Sequence, residues 1–246
     1  MPTDLTGRRP LKSRDLPFFK NLAALLARGG ATPNGISFAS IVFGCFAGAA
    51  LAATACCDGW ALRACWLGAA LGIQLRLIAN LLDGMVAVEG RKGGPTGELW
   101  NEAPDRLSDA AIFIGAGYAA GSWPVLGFAA ALMAVFVAYV RALGASVGAG
   151  QCFLGPQAKP HRMALMTLLA VAGAIFPQAI ARSWTSALSA FEVEAALQQN
   201  LFVVTAPGLP ITAVSFVLGL VVLGSMLTAG RRLAFIAEFL RKKSHP

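Results

Sequence analysis

Between residues 80 and 109 the chain sets Asn80 and Asp83 at i and i+3, then a Gly-rich loop, then Glu98, Glu102, Asp105 and Asp109 at i, i+4, i+7 and i+11, with Asn101 beside them. At 3.6 residues per turn each group shares one helix face. Six of the twelve acidic residues fall in this stretch, whereas most other charges lie in terminal and connecting segments. Like charges along one helix face repel, so the stripe is favourable only if cations lie between the two helix ends. A divalent ion on hard oxygen ligands would supply them, and with them chemistry on a phosphate. A plainer reading is that carboxylates near a helix start favour its dipole and are merely solvated. Arg76, one turn before Asn80, and Arg106 have an equally plain reading as counter-ions to Asp83 and Asp109. Gly84, Gly93, Gly94 and Gly97 leave room for a phosphate to approach the backbone.

The elements that must hold these residues are apolar. With 57% hydrophobic residues, 13% charged and a mean hydropathy of +0.65, the chain is too oily for an ordinary soluble domain. The sequence predicts an all-α integral membrane protein of six transmembrane helices with an N-terminal interfacial amphipathic helix. Spans are expected near 36–56, 62–84, 105–121, 124–143, 162–181 and 210–230, since about 20 residues cross the hydrocarbon core. The organisation expected is a cytoplasmic leader and interfacial helix (1–33), a six-span domain (34–230) and a basic tail (231–246). Phe18, Leu22 and Leu25 or Leu26 share a helical face that suits either the membrane interface or a protein surface. The net charge of +8 sits beside apolar segments, so anionic lipid headgroups are the expected partner and nucleic acid is not. Lys and Arg concentrate in alternate loops and both tails, which places both termini and residues 80–109 on the cytoplasmic side. A loop at 182–209 then lies outside. Cysteines 45, 56, 57, 65 and 152 have no metal-ligand spacing and read mostly as packing, with a bridge from Cys65 to Cys56 or Cys57 as the alternative.

The central residues resemble the signature of the CDP-alcohol phosphotransferases, Asp-x2-Asp-Gly-x2-Ala-Arg-x8-Gly-x3-Asp-x3-Asp. The aligned positions are Asn80, Asp83, Gly84, Ala87, Val88, Gly97, Asn101 and Asp105, with every spacing kept. Thr-Pro-Asn at 32–34, Ala-Tyr-Val-Arg at 138–141 and Lys-Pro-His-Arg at 159–162 also look like features of that family. A register shifted by one turn, ending on Asp105-x3-Asp109, puts Asn101 where the Gly belongs, and Gly97 favours the first.

What the resemblance implies is a hydroxyl attacking the β-phosphate of a CDP-diacylglycerol-type lipid, with release of CMP, in phospholipid biosynthesis. It implies Mg²⁺ or Mn²⁺ at Asp83, with Asn80 and Asn101 at two further metal positions, and Asp105 as the general base. Gly84, Ala87 and Gly97 would let the nucleotide lie on the helices. Read from charge alone, Arg141, Lys159, His161 and Arg162, at the inner ends of the fourth and fifth spans, suit a phosphate-bearing acceptor alcohol, or simply follow the positive-inside rule. A homodimer in a bacterial inner membrane is the assembly implied. Asn80 and Asn101 keep a carbonyl oxygen but lose a charge. Either one ion is bound, or Glu98, Glu102 or Asp109 makes up the deficit, with Glu102 turned inward by a kink at Pro104. Val88 replaces the signature Arg. The alternative function is a catalytically impaired relative that binds nucleotide or lipid or assists membrane-protein assembly.

Overall fold

A computed structural model describes residues 16–89, 97–181 and 211–244, the side chains of Glu89, Glu98, Asn101 and Ser244 excepted. The expected leader, the loop with Arg91, Lys92, Gly93 and Gly94, and the expected outer loop lie outside the described residues. Among these, the elements are α-helices: α1 (Pro17–Arg28), α2 (Pro33–Ala53), α3 (Gly59–Glu89), α4 (Gly97–Gly117), α5 (Pro124–Ser146), α6 (Lys159–Ile175), α7 (Pro177–Ala181) and α8 (Ala213–Ser244). Proline sets several of the starts, because its fixed φ suits the first turn and its missing N–H costs nothing there. At α2 the Thr32 hydroxyl adds a cap, accepting from the Gly35 amide at 3.1 Å.

Among the described residues, four helices are long and apolar enough to cross a membrane: α2, α3, α5 and α8. Large apolar side chains such as Phe46, Leu71, Leu132, Leu168 and Leu223 stand exposed on the outside of the bundle, while Trp66, Ile73, Phe113, Met163 and Leu218 fill its centre. This outward oiliness is what a lipid-facing surface requires.

The two other expected spans are built differently. α4 carries five charged residues in its 21 positions, and its apolar half is packed against α2 and α5. The expected helix at 162–181 is broken, since α6 stops at Ile175 and Phe176 turns to φ −126°, ψ 59° before α7 begins at Pro177. A residue preceding proline is pushed out of the α region. Arg63 covers that break by donating to the carbonyls of Ala174 at 2.8 Å and Ile175 at 3.0 Å. At the other end, α8 runs through Arg231 and Arg232 to Ser244 without interruption, so no break marks the expected tail at 231.

α1 lies on protein with one face and leaves the other open. Leu22, Ala23 and Leu26 pack against Leu82, Met85 and Val86 of α3, whereas Phe18 and Leu25 stay exposed. Cys57 and Cys65 are free thiols with sulfurs 3.8 Å apart.

Glycine lets α4 sit close to both neighbours. A Cβ added at Gly115 would lie 2.1 Å from the Gly48 carbonyl oxygen, and one at Gly127 2.7 Å from the Gly117 Cα. Small residues at such crossings let membrane helices approach backbone to backbone. The approach fixes α4 so that its polar half meets the ends of α3, α5 and α6.

Candidate active site

The acidic stripe of α4 faces cations that belong to the chain itself. Arg76 of α3 is fully buried and pairs with Asp105 Oδ1 at 3.0 Å and Asp109 Oδ1 at 2.6 Å. Lys159, on the first turn of α6, pairs with Asp105 Oδ2 and donates to Asn80 Oδ1 at 3.0 Å. Asn80 donates in turn to Asp105 Oδ1 at 2.8 Å. Asp105 therefore has both oxygens engaged, by three residues from two helices. Arg162 is 1% exposed, lies 3.8 Å from Asp109 Oδ2 and donates to the Gln157 carbonyl at 2.8 Å.

Asp83 is held differently. The Ser37 hydroxyl of α2 donates to its Oδ2 at 2.7 Å, and its Oδ1 is buried without a hydrogen-bond partner. Both Asp105 and Lys159 act on it electrostatically.

Glu102 turns away from this group. It is held between Arg106 and Arg141, the latter reaching over from α5. Burial raises the cost of its charge, but the two guanidiniums outweigh that and hold its carboxyl below the usual glutamate range. Burial also pulls the Lys159 ammonium below the usual lysine range, in spite of Asp105.

Of the residues singled out in the sequence, the structure brings Asn80, Asp83 and Asp105 into one group. Arg162 lies beside Asp109, and Arg141 is paired with Glu102, which turns away from the group. Asn101 and Glu98 lie outside the described side chains. Among the described residues, nothing lies within 4 Å of a Cβ added at Gly84 or Gly97. Two participants escaped the spacing argument. Ser37 is one; its only signal is its place in the first turns of α2, after Thr32-Pro33-Asn34. The other is Lys159 as a partner of Asp105, which no local spacing links across 54 residues.

Among the described side chains, few oxygens are left to a divalent ion. The cations already on the chain occupy Asp105, Asp109 and Glu102, and no group of three or more His, Cys, Asp or Glu suited to a metal occurs among the described residues. The buried, unpartnered Oδ1 of Asp83 leaves a place for one. An apolar hollow of about 220 Å³ between α5 and α8, lined by Trp123, Leu126, Phe216 and Leu220 among others, has no titratable side chain and lies toward the opposite end of both helices.

No family model matches the chain, and no curated protein matches it. Solved structures do. Over 90% of this chain and 94% of the other, the fold superposes with a TM-score of 0.63 and 18% identity on Mycobacterium tuberculosis phosphatidylinositol phosphate synthase, PgsA1, with CDP-DAG bound. The chain has the fold of a phosphatidylinositol phosphate synthase. The same synthase in complex with manganese and citrate matches with a TM-score of 0.62 at 17% identity, over 89% of this chain and 88% of that one. Its apo form matches with a TM-score of 0.59 at 18% identity, over 88% and 94%. The likeness of fold thus extends over nearly the whole of both chains.

Proposed function

We propose that this protein transfers the phosphatidyl group of a CDP-diacylglycerol-type lipid to an alcohol and releases CMP, as a step of phospholipid biosynthesis. The observation that carries the reading is the convergence of Asn80, Asp83 and Asp105 beside Gly84, where an added Cβ meets no described atom within 4 Å, in a fold whose solved example holds CDP-DAG. The acceptor oxygen forms a bond to the β-phosphorus as the bond from that phosphorus to the CMP oxygen breaks. Asp105 takes the hydroxyl proton, and Gly84, Ala87 and Gly97 give the nucleotide room along α3 and α4. Asp83 would hold a divalent ion, Mg²⁺ or Mn²⁺, a reading supported by the manganese in the related structure. Such an ion polarises the pyrophosphate and carries charge on the leaving phosphate. Arg106 and Arg141, half-buried at the edge of the group, suit an acceptor that carries its own phosphate. The bundle is read as a homodimer in a bacterial inner membrane with six spans, and with the site and both termini on the cytoplasmic side.

The test uses purified protein with CDP-diacylglycerol, Mn²⁺ and a panel of alcohols, with CMP as the readout. Asp105→Asn should lower CMP release by about 10²–10⁴-fold. Gly84→Ala should weaken CMP binding while the thermal midpoint stays at or above the wild-type value, because the added Cβ meets no described atom within 4 Å and glycine is a poor helix former. CMP release unaffected by both substitutions rejects the reading.

One observation favours a second reading. Asp105 has Arg76, Asn80 and Lys159 on its two oxygens, which suits a relative that binds nucleotide or lipid without turning it over. CMP binding without CMP release for any acceptor identifies that case.

A further inference from the structure

At the end of α3 opposite the ion pairs, two of the five cysteines meet. α2 tightens as it closes, the amides of Thr54, Ala55 and Cys56 donating to the carbonyls of Leu51, Ala52 and Ala53 at 3.2, 3.2 and 3.0 Å. Gly59, at φ 54°, then reverses the chain in the left-handed region that suits glycine, and α3 begins. The reversal brings Cys57 back over the first turns of α3, where side chains lean toward the helix N-terminus. Cys65 Sγ donates to Cys57 Sγ there, with the sulfurs 3.8 Å apart.

Both sulfurs stand on backbone that is held. Cys57 lies between the closing turn of α2 and the first turn of α3, where the Leu62 amide donates to the Asp58 carbonyl at 3.2 Å. Two residues before Cys65, Arg63 is tied to the α6 carbonyls of Ala174 and Ile175. Cys57 and Cys65 are half-buried, and Cys56 beside them is exposed. As reduced thiols the pair is a small apolar contact, and the compartment decides whether it stays one. Cys65 precedes Asn80 by 15 residues of α3, about 22 Å along the helix axis. With the site on the cytoplasmic side, the two sulfurs lie at the outer surface, where disulfides form and persist.

We infer that Cys57 and Cys65 are a modification site, oxidised in the membrane-resident protein to a disulfide that leaves Cys56 free. The inference rests on the orientation of the bundle and not on the transferase reading. The sulfurs have to close from 3.8 Å to about 2.0 Å, a displacement of the size that rotation about the Cα–Cβ bonds gives a sulfur. The step is thiol–disulfide exchange with a disulfide-bearing oxidant of the outer compartment. The Cys57 thiolate attacks one sulfur of the oxidant, and the other leaves as a thiol. The Cys65 thiolate then attacks Cys57 Sγ and displaces the second sulfur as a thiol. Two protein thiols lose two electrons and two protons, and one disulfide of the oxidant gains them. The new bond closes the loop between residues 57 and 65 and fastens it to the turn of α3 that Arg63 holds against α6.

The test unfolds membranes in detergent with N-ethylmaleimide and no reductant, so that every free thiol is capped. One portion is digested directly with trypsin; the other is first reduced and capped again with the deuterated reagent. Cleavage after Arg28, Arg63 and Arg76 puts Cys57 on peptide 29–63 and Cys65 on peptide 64–76, so the bridge joins two peptides that are otherwise separate. The joined pair is expected in the unreduced digest of the wild type and of Cys56→Ser. In the reduced digest of the wild type, Cys57 and Cys65 should carry the deuterated cap and Cys56 the ordinary one. The ordinary cap on Cys65, the deuterated cap on Cys56 in place of Cys57, or loss of the joined pair in Cys56→Ser overturns the proposal. Where Cys65 is found free, a membrane-impermeant maleimide on intact cells separates the causes. Cys56 labelled from outside rejects the pairing alone, and Cys56 reached only after lysis rejects the orientation with it.

Discussion

Glu102 is the member of the acidic stripe that leaves its neighbours, and its charge depends on α5. Arg106 and Arg141 hold its carboxyl below the ordinary glutamate range, so its folded-state pKa lies under its unfolded one. Stability from this group is fully present above the unfolded value, about 4.3, and is lost as the pH falls through the folded one. The thermal midpoints of wild type and Glu102→Gln should therefore differ at neutral pH and converge as the buffer is taken below that range. A difference that persists in acid would assign Glu102 a packing role instead. The stripe itself was legible, because spacing alone puts Glu102, Asp105 and Asp109 on one face of α4. Its counter-ions were legible only in part. Arg76 stood out as one turn from Asn80 and a plausible partner for an aspartate, yet it pairs with Asp105 and Asp109, not Asp83. Which acid faces which base depends on how α3 and α4 cross, and no periodicity within either helix encodes that crossing.

At the scale of helices, the crossing is set by glycine. Gly48 on α2 and Gly115 on α4 lie so close that a Cβ at Gly115 would overlap the opposite backbone. Backbone cannot move aside as a side chain can, so Gly115→Ala should destabilise the bundle by about 1–3 kcal/mol, read as a lower denaturant or thermal midpoint. Gly219, where an added Cβ meets no described atom within 4 Å, is the control that should tolerate alanine. Helix existence was readable from hydropathy, and α2, α3 and α5 follow it closely. The 162–181 run misled because hydropathy ignores backbone chemistry: Pro177 divides it, and the sequence shows that proline plainly. The end of α8 was set too early for a related reason. Arg231 and Arg232 look like the edge of a membrane segment, but Arg232 is buried and donates to the carbonyls of Leu154 and Val137 at 3.0 Å each, so the helix continues as part of the packed bundle.

Across the molecule, polar residues gather at two ends with different characters. One end holds the ion pairs of α3, α4 and α6. The other is stitched by neutral bonds, with Thr54 Oγ1 accepting from the Ala120 amide at 3.0 Å and Thr212 Oγ1 donating to the Gly121 carbonyl at 2.7 Å. With the charged end toward the cytoplasm, a membrane-impermeant maleimide added to intact cells should label the exposed Cys56 between α2 and α3. A cysteine placed at the exposed Ala103, beside the charged end, should label only after lysis; the reverse pattern would invert the orientation. The bonds of Asp105 also have an order in time. Its partner Arg76 lies 29 residues earlier in the chain and Lys159 54 residues later, and chains are made from the N-terminus. While the ribosome is still short of α6, Asp105 and Asp109 share the single charge of Arg76. The newly inserted hairpin of α3 and α4 thus carries an unbalanced negative charge, and it is complete only when α6 arrives, which makes the docking of Lys159 and Arg162 a late step in biogenesis.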